Sequence, residues 1–188
     1  MSRTALILVD VIKAFYDPEG AFYYPGSLEV LEGTRRLLEA ARNGGRLVVH
    51  ARDVHRETLS DFEESKLPRH SVAGTLDSEF VPGFEPGRGE VEIHKRRFSA
   101  FHATDLELLL REQGIDRVVI AGVKTNVCIR ATVQDAFAGG FEPIVVRGSV
   151  NSNRPHLHEA SLEDIERYMG RVIDLEEGER LLGGDEPA

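Results

Sequence analysis

The stretch "VVIAGVKTNVCIRA", residues 118–131, decides how this chain folds. Its first half is apolar and β-branched with no polar alternation, the pattern of a strand buried on both faces, and its second half passes into a helix. The same change of pattern recurs. Short apolar runs, "TALILV" (4–9), "RLVVHA" (46–51), "EVEIHK" (90–95), "RVVIAGV" (117–123), "PIVVR" (143–147) and "RVIDL" (171–175), alternate with stretches of helical spacing at 27–43, 103–113, 126–138 and 155–169. Strand–helix alternation predicts crossover helices over a parallel sheet. The expected fold class is α/β: a three-layer α/β/α arrangement around a doubly wound, six-stranded, mainly parallel sheet.

Punctuation supports those bounds. "NGG" (43–45), "QGID" (113–116) and "AGGFEP" (138–143) each supply a left-handed position after a helix, and Pro155 suits a helix's first turn. Residues 52–89 contain Pro68, Pro82, Pro86 and several glycines but no clear strand, so they read as a long excursion of the kind that carries function. The chain is expected to form one domain over 1–188, with "GGDEPA" (183–188) as a flexible tail.

Composition narrows the partners. Of 188 residues, 23 are Lys or Arg and 32 Asp or Glu, a formal charge of -9, which disfavours nucleic acid and anionic lipid. A single cysteine forms no intramolecular disulfide, and "MSRTALILVD" has too short an apolar run for a signal peptide or a membrane span. A cytoplasmic protein with a small-molecule partner is expected, contacting neither nucleic acid nor membrane.

In an open doubly wound sheet, ligands sit at the carboxyl ends of strands near the point where strand order reverses. The residues at those ends are Asp10, Asp53 with His55, Lys95, and Lys124 through Cys128. A carboxylate, metal-ligand types, an ammonium and a thiol thus gather on one edge. A free thiol ionises near pH ~8.5, so a nucleophile needs something that favours the thiolate. For Cys128 the expected aids are the first turn of a helix capped by Thr125 or Asn126, and the charge of Lys95. Asp10, following an apolar run, should be desolvated and raised in pKa, able to take the thiol proton and later deliver it to a leaving amine. Asp53 and His55, two apart on an extended segment, project to the same side.

"ILVDVIKAF", "HARDVH", "RHSVAGT", "HKRRFSAF" and "VVIAGVKTNVCIRATVQDAF" together resemble the isochorismatase-like cysteine hydrolases, and among them the nicotinamidase branch. The resemblance implies a catalytic Asp10, Lys95 and Cys128. It implies an oxyanion hole from the backbone N–H groups of Lys124 and Cys128, with a cis peptide between Val123 and Lys124. It makes His70 a third metal ligand beside Asp53 and His55. Two imidazoles and a carboxylate with open positions suit Zn²⁺, with Fe²⁺ or Mn²⁺ as alternatives. Such a metal anchors the substrate's ring nitrogen. Ser60 is a further candidate near the metal, Phe15 and Phe98 (or Phe101) are candidate walls for a flat ring, and a homo-oligomer is implied.

Two departures bear on the substrate. Ile12 stands where the family commonly has glutamine, and Arg96 and Arg97 are unusual in their segment and suited to a substrate carboxylate. The implied activity is amide hydrolysis through a thioester, nicotinamide to nicotinate and ammonia. The alternatives are a ureido or carbamoyl substrate such as N-carbamoylsarcosine, a vinyl ether as in isochorismatase, and, outside enzymes, an inactive binding module. His50, His94, His102, His156 and His158 read as ordinary surface or core histidines.

Overall fold

The computed structural model describes residues 3–184. Six strands, β1 (Thr4–Val9), β2 (Leu47–Asp53), β3 (Val91–Lys95), β4 (Arg117–Val123), β5 (Glu142–Asn151) and β6 (Arg171–Ile173), form one sheet in the order β3-β2-β1-β4-β5-β6. Every pairing is parallel, so the expected "mainly parallel" sheet is wholly so. β1 is buried along its whole length because it lies between β2 and β4. Its residues alternate between layers. Leu6 and Leu8 pack with Leu37 and Leu38 of α2 (Leu31–Asn43) and Leu182 of α6 (Leu175–Gly183). Ala5, Ile7 and Val9 face the opposite layer, built from α3 (Leu106–Glu112), α4 (Arg130–Ala138) and α5 (Pro155–Tyr168). A further short helix, α1 (Lys13–Tyr16), follows β1.

Strand order reverses between β1 and β4, so a crevice opens at their carboxyl ends. Asp10 follows β1, and the turn carrying Cys128 follows β4. The sheet therefore gathers the candidate residues before any side-chain chemistry is considered.

Several bounds differ from the sequence reading. β5 continues past Arg147 to Asn151, because a register shift between Ile120 and Gly122 absorbs the extra residues of "GSVN" and returns Val150 to the ladder. β6 ends at Ile173, since Asp174 accepts a hydrogen bond from Glu177 N–H (2.8 Å) and caps α6, a helix absent from the sequence reading. That helix runs through Gly183 and stops at Gly184 in a left-handed conformation, so residues 183 and 184 are ordered helix end; 185–188 of the expected tail lie outside the described residues. The helix expected from 27 begins as a tighter 3-10 segment, Pro25–Val30, and the excursion holds two short 3-10 turns, Phe62–Ser65 and Leu76–Ser78. Among the described residues no helix is long and apolar enough to cross a membrane.

Gly122 shows how tightly the crevice is built. It has a φ of 114° and pairs with Val9, where an added Cβ would stand 2.0 Å from the Val9 carbonyl oxygen. Gly122→Ala should destabilise the fold by at least about 2 kcal/mol, combining a strained φ with displacement of a β1 carbonyl. Urea denaturation checks this, and an unchanged midpoint would contradict it.

Candidate active site

Asp10 is placed by backbone geometry. Its φ of 56° turns the chain out of β1, a conformation that aspartate tolerates better than most residues, while its N–H continues the ladder to the Ala51 carbonyl (2.8 Å). Its Oδ1 accepts from the Asp53 N–H (2.9 Å), and its Oδ2 lies 2.9 Å from Lys95 Nζ. Lys95 ends β3 and faces Asp53 in register. Lys95 Nζ also lies 3.8 Å from Cys128 Sγ. The three residues proposed as catalytic from the sequence are thus brought together by the ends of β1 and β3 and the turn after β4, all buried.

Burial pushes the Asp10 carboxyl above its usual range against the opposing pull of Lys95. Burial works against the Lys95 ammonium too, but the neighbouring Asp10, Cys128 and Asp53 charges outweigh it and hold the group charged. For Cys128 the outcome differs from the sequence expectation. Burial pushes the thiol well up, Asp10 adds to the rise, and Lys95 offsets only part of it. Burial thus favours the protonated form of Cys128.

The turn that carries it is also unlike the expected cap. Residues Thr125–Ile129 form a π-type turn, a geometry frequent at functional sites, in which the Lys124 carbonyl accepts from both Val127 N–H (3.0 Å) and Ile129 N–H (3.2 Å). Neither Thr125 nor Asn126 caps the helix. Thr125 Oγ1 pairs with His158 Nδ1 (2.9 Å), and Ser152 Oγ donates to Asn126 Oδ1 (2.6 Å), so α5 and the end of β5 brace the turn. His158, an ordinary helix-opening residue in the sequence reading, is one of these braces. The Val123–Lys124 peptide is cis, as the resemblance implied.

Beside this group, Asp53, His55, His70 and Glu63 each present a ligand atom within 4.8 Å of the others, all four buried. Glu63 was not anticipated: it sits in the 3-10 turn of the excursion, where no periodic pattern marks it. Ser60, the residue suggested there, is exposed and outside the cluster. His70 Nδ1 donates to the Pro68 carbonyl (2.7 Å) and His55 Nδ1 faces Asp61 Oδ2 (3.2 Å), which leaves both Nε2 atoms turned toward Asp53, at 2.9 and 3.1 Å. Asp53 Oδ1 and His55 Nε2 nevertheless find no hydrogen bond of acceptable geometry. Nitrogen lone pairs and carboxylate oxygens converging on one buried point fit a divalent cation. Asp61 anchors this group from behind. It accepts from Glu63 N–H (3.2 Å) and pairs with Arg97 (2.7 Å) and, more loosely, Arg96 (3.8 Å). Both arginines are therefore engaged by Asp61 and do not line the substrate cavity, contrary to the expectation that they meet a substrate carboxylate.

That cavity, of about 480 Å³, is lined by Cys128, Asp53, His70, Phe15, Phe98 and Lys124 among others. Phe15 stacks on Phe22 (5.5 Å between ring centres), and Phe22 meets His70 edge-on (4.5 Å), so Phe22 is a wall the sequence reading missed. Phe98 is 43% exposed. Phe101, its alternative, packs on Phe141 and the core layer, away from the cavity.

Residues 4–177 match the family described as the isochorismatase domain. The chain is 35% identical over 185 residues to maleamate amidohydrolase of Pseudomonas putida, covering 96% of this chain and 87% of that protein. It is 32% identical to N-carbamoylsarcosine amidase of an Arthrobacter species, covering 91% and 68%. Among solved structures, the pyrazinamidase of Pyrococcus horikoshii in complex with zinc superposes with a TM-score of 0.84 at 33% identity, covering 92% of this chain and 99% of that one. The chain belongs to the isochorismatase-like hydrolase family.

Asp61→Ala should release His55 and Glu63 together and weaken Zn²⁺ binding by about 10- to 100-fold. Competition with a chromophoric chelator reads this directly; unchanged affinity would show that Asp61 does not orient the cluster.

Proposed function

We propose that this protein hydrolyses a small linear carboxamide to a carboxylate and ammonia through a thioester on Cys128. The observation that carries the reading is the position of Lys95 Nζ, 2.9 Å from Asp10 and 3.8 Å from Cys128 Sγ, beside a cavity wide enough for a small molecule. Asp10 takes the thiol proton as sulfur attacks the carbonyl carbon, and Lys95 balances the negative charge passing between them. The backbone N–H groups of Lys124 and Cys128 meet the oxyanion. Collapse expels the amine, which leaves as ammonia with the proton held by Asp10. Water then attacks the thioester while Asp10 takes one of its protons, and Asp10 passes that proton to the departing sulfur, restoring the thiol and its own carboxylate as the carboxylic acid product is released.

Asp53, His55, Glu63 and His70 would hold the metal, Zn²⁺ being the first choice given the zinc-bound pyrazinamidase neighbour. Bound there, it would supply a positive charge at the cavity's edge to orient a lone pair of the substrate. Nicotinamide is the first compound to try, supported by that cluster and by the Phe15 and Phe22 rings. A second reading, a substrate bearing a carboxylate or ureido group, is favoured by the names of the two curated relatives above.

Ammonia release from a panel of nicotinamide, monoamides and ureido acids tests the reading. Cys128→Ala should abolish turnover while leaving the unfolding free energy within about 1 kcal/mol, because sulfur is replaced without a new polar group; retained turnover would refute the nucleophile. Denaturing mass spectrometry of a quenched reaction should show the acyl adduct. Chelation should raise KM more than it lowers kcat, as expected of a group that orients substrate, and identical kinetics in verified metal-free protein would remove that role.

A further inference from the structure

Lys124 differs from the cations that surround the catalytic candidates at this end of the sheet. Lys95 is matched to Asp10 (2.9 Å), Arg97 to Asp61 (2.7 Å), Arg130 to Asp164 (3.0 Å) and Lys13 to Glu79 (2.6 Å). Lys124 has no carboxylate within ion-pairing distance and no side-chain hydrogen bond among the described residues, although it is half-buried and lines the same cavity as Cys128. Its Nζ instead stands 5.7, 5.3 and 5.3 Å from the ring centres of Phe15, Phe22 and Tyr24. Ring faces attract the ammonium but leave its N–H donors largely unused. Burial accordingly pulls its pKa below the usual lysine value, with Cys128 restoring part.

Charge balance sharpens the point. Asp53 and Glu63 would neutralise a divalent cation in the cluster, and Asp10 neutralises Lys95, so among the described residues Lys124 is the cation lining the cavity that no carboxylate offsets. Asp135, the remaining acid on the lining, lies two helical turns beyond Cys128 and does not pair with it. The residue's own backbone N–H is a proposed oxyanion donor, which tethers the ammonium within one four-carbon stem of the scissile carbonyl.

We propose that Lys124 determines specificity by binding an anionic group of the substrate, so that the preferred substrate is a short carboxamide or ureide carrying a carboxylate near the scissile carbonyl. This rests on the amidohydrolase reading and decides between its two substrate classes in favour of the charged one.

The test compares the monoamide of a four-carbon diacid with the neutral diamide of the same skeleton, measured by ammonia release with the protein as purified. The wild type should favour the monoamide in kcat/KM by tenfold or more. Lys124→Gln should cut that preference at least tenfold, mainly through KM, while Lys124→Arg should keep it within a few fold. An unchanged preference in Lys124→Gln, or a wild type that favours the diamide, overturns the proposal. If the wild type releases ammonia from neither compound, Lys124 is judged by calorimetry on Cys128→Ala protein, and the amidohydrolase reading itself fails only if nicotinamide and the ureido acids are not turned over either. Binding of the four-carbon diacid that is tighter than that of the diamide and lost in Cys128→Ala/Lys124→Gln supports the assignment; equal, unaffected or absent diacid binding overturns it.

Discussion

A buried carboxylate and a buried ammonium 2.9 Å apart tie the end of β1 to the end of β3 across β2. Removing either ion from water costs several kcal/mol, and removing one partner alone leaves a stranded charge worth about 3–5 kcal/mol. The pair is therefore tolerable only where both ions are held in place. Backbone does this for Asp10, through its left-handed turn and the Asp53 N–H, and strand register does it for Lys95. Cys128 is then set beside an ion pair whose geometry does not depend on the substrate.

The same pair explains the protonation state of the thiol. Lys95 does pull the Cys128 pKa down, as a nearby lysine should, but burial pushes it up further and Asp10 adds to that rise. Desolvation is the largest of these influences and favours the protonated thiol. In the proposed mechanism the charge needed for attack is moved from Asp10 to sulfur as the proton crosses the other way.

What could be read from the sequence divides along the same line as what the backbone fixes. The strands were legible because β-branched runs buried on both faces have no other explanation, and Asp10, Lys95 and Cys128 were legible because strand ends at a reversal of order face one crevice. Glu63, Phe22 and Asp61 were not, since they lie in segments without hydrophobic periodicity, where neighbours are set by turns rather than by spacing. Arg96 and Arg97 misled for the same reason: their charge is visible in sequence, but the carboxylate that uses it, Asp61, lies some 35 residues away in an irregular loop. Helix α6 was missed because its cap, Asp174, reads equally well as the end of a strand.

Asp53 joins the two halves of the site. Its N–H holds Asp10, its carboxylate faces both imidazoles, and it stands opposite Lys95 in register. Two carboxylates and one ammonium at neighbouring strand ends leave an excess negative charge, and a cation in the cluster would remove it; the candidate metal cluster and the ion pair are thus electrostatically linked. The groups that would contact the rest of the substrate belong elsewhere. Phe15 comes from α1, Phe22 from the loop after it, His70 from the excursion and Lys124 from the turn after β4. These segments can change without disturbing the sheet, whereas Asp10, Asp53 and Lys95 cannot. One scaffold can therefore keep its bond-breaking chemistry while its relatives differ in substrate, and the substrate of this chain has to be read from the loop and turn residues rather than from the fold.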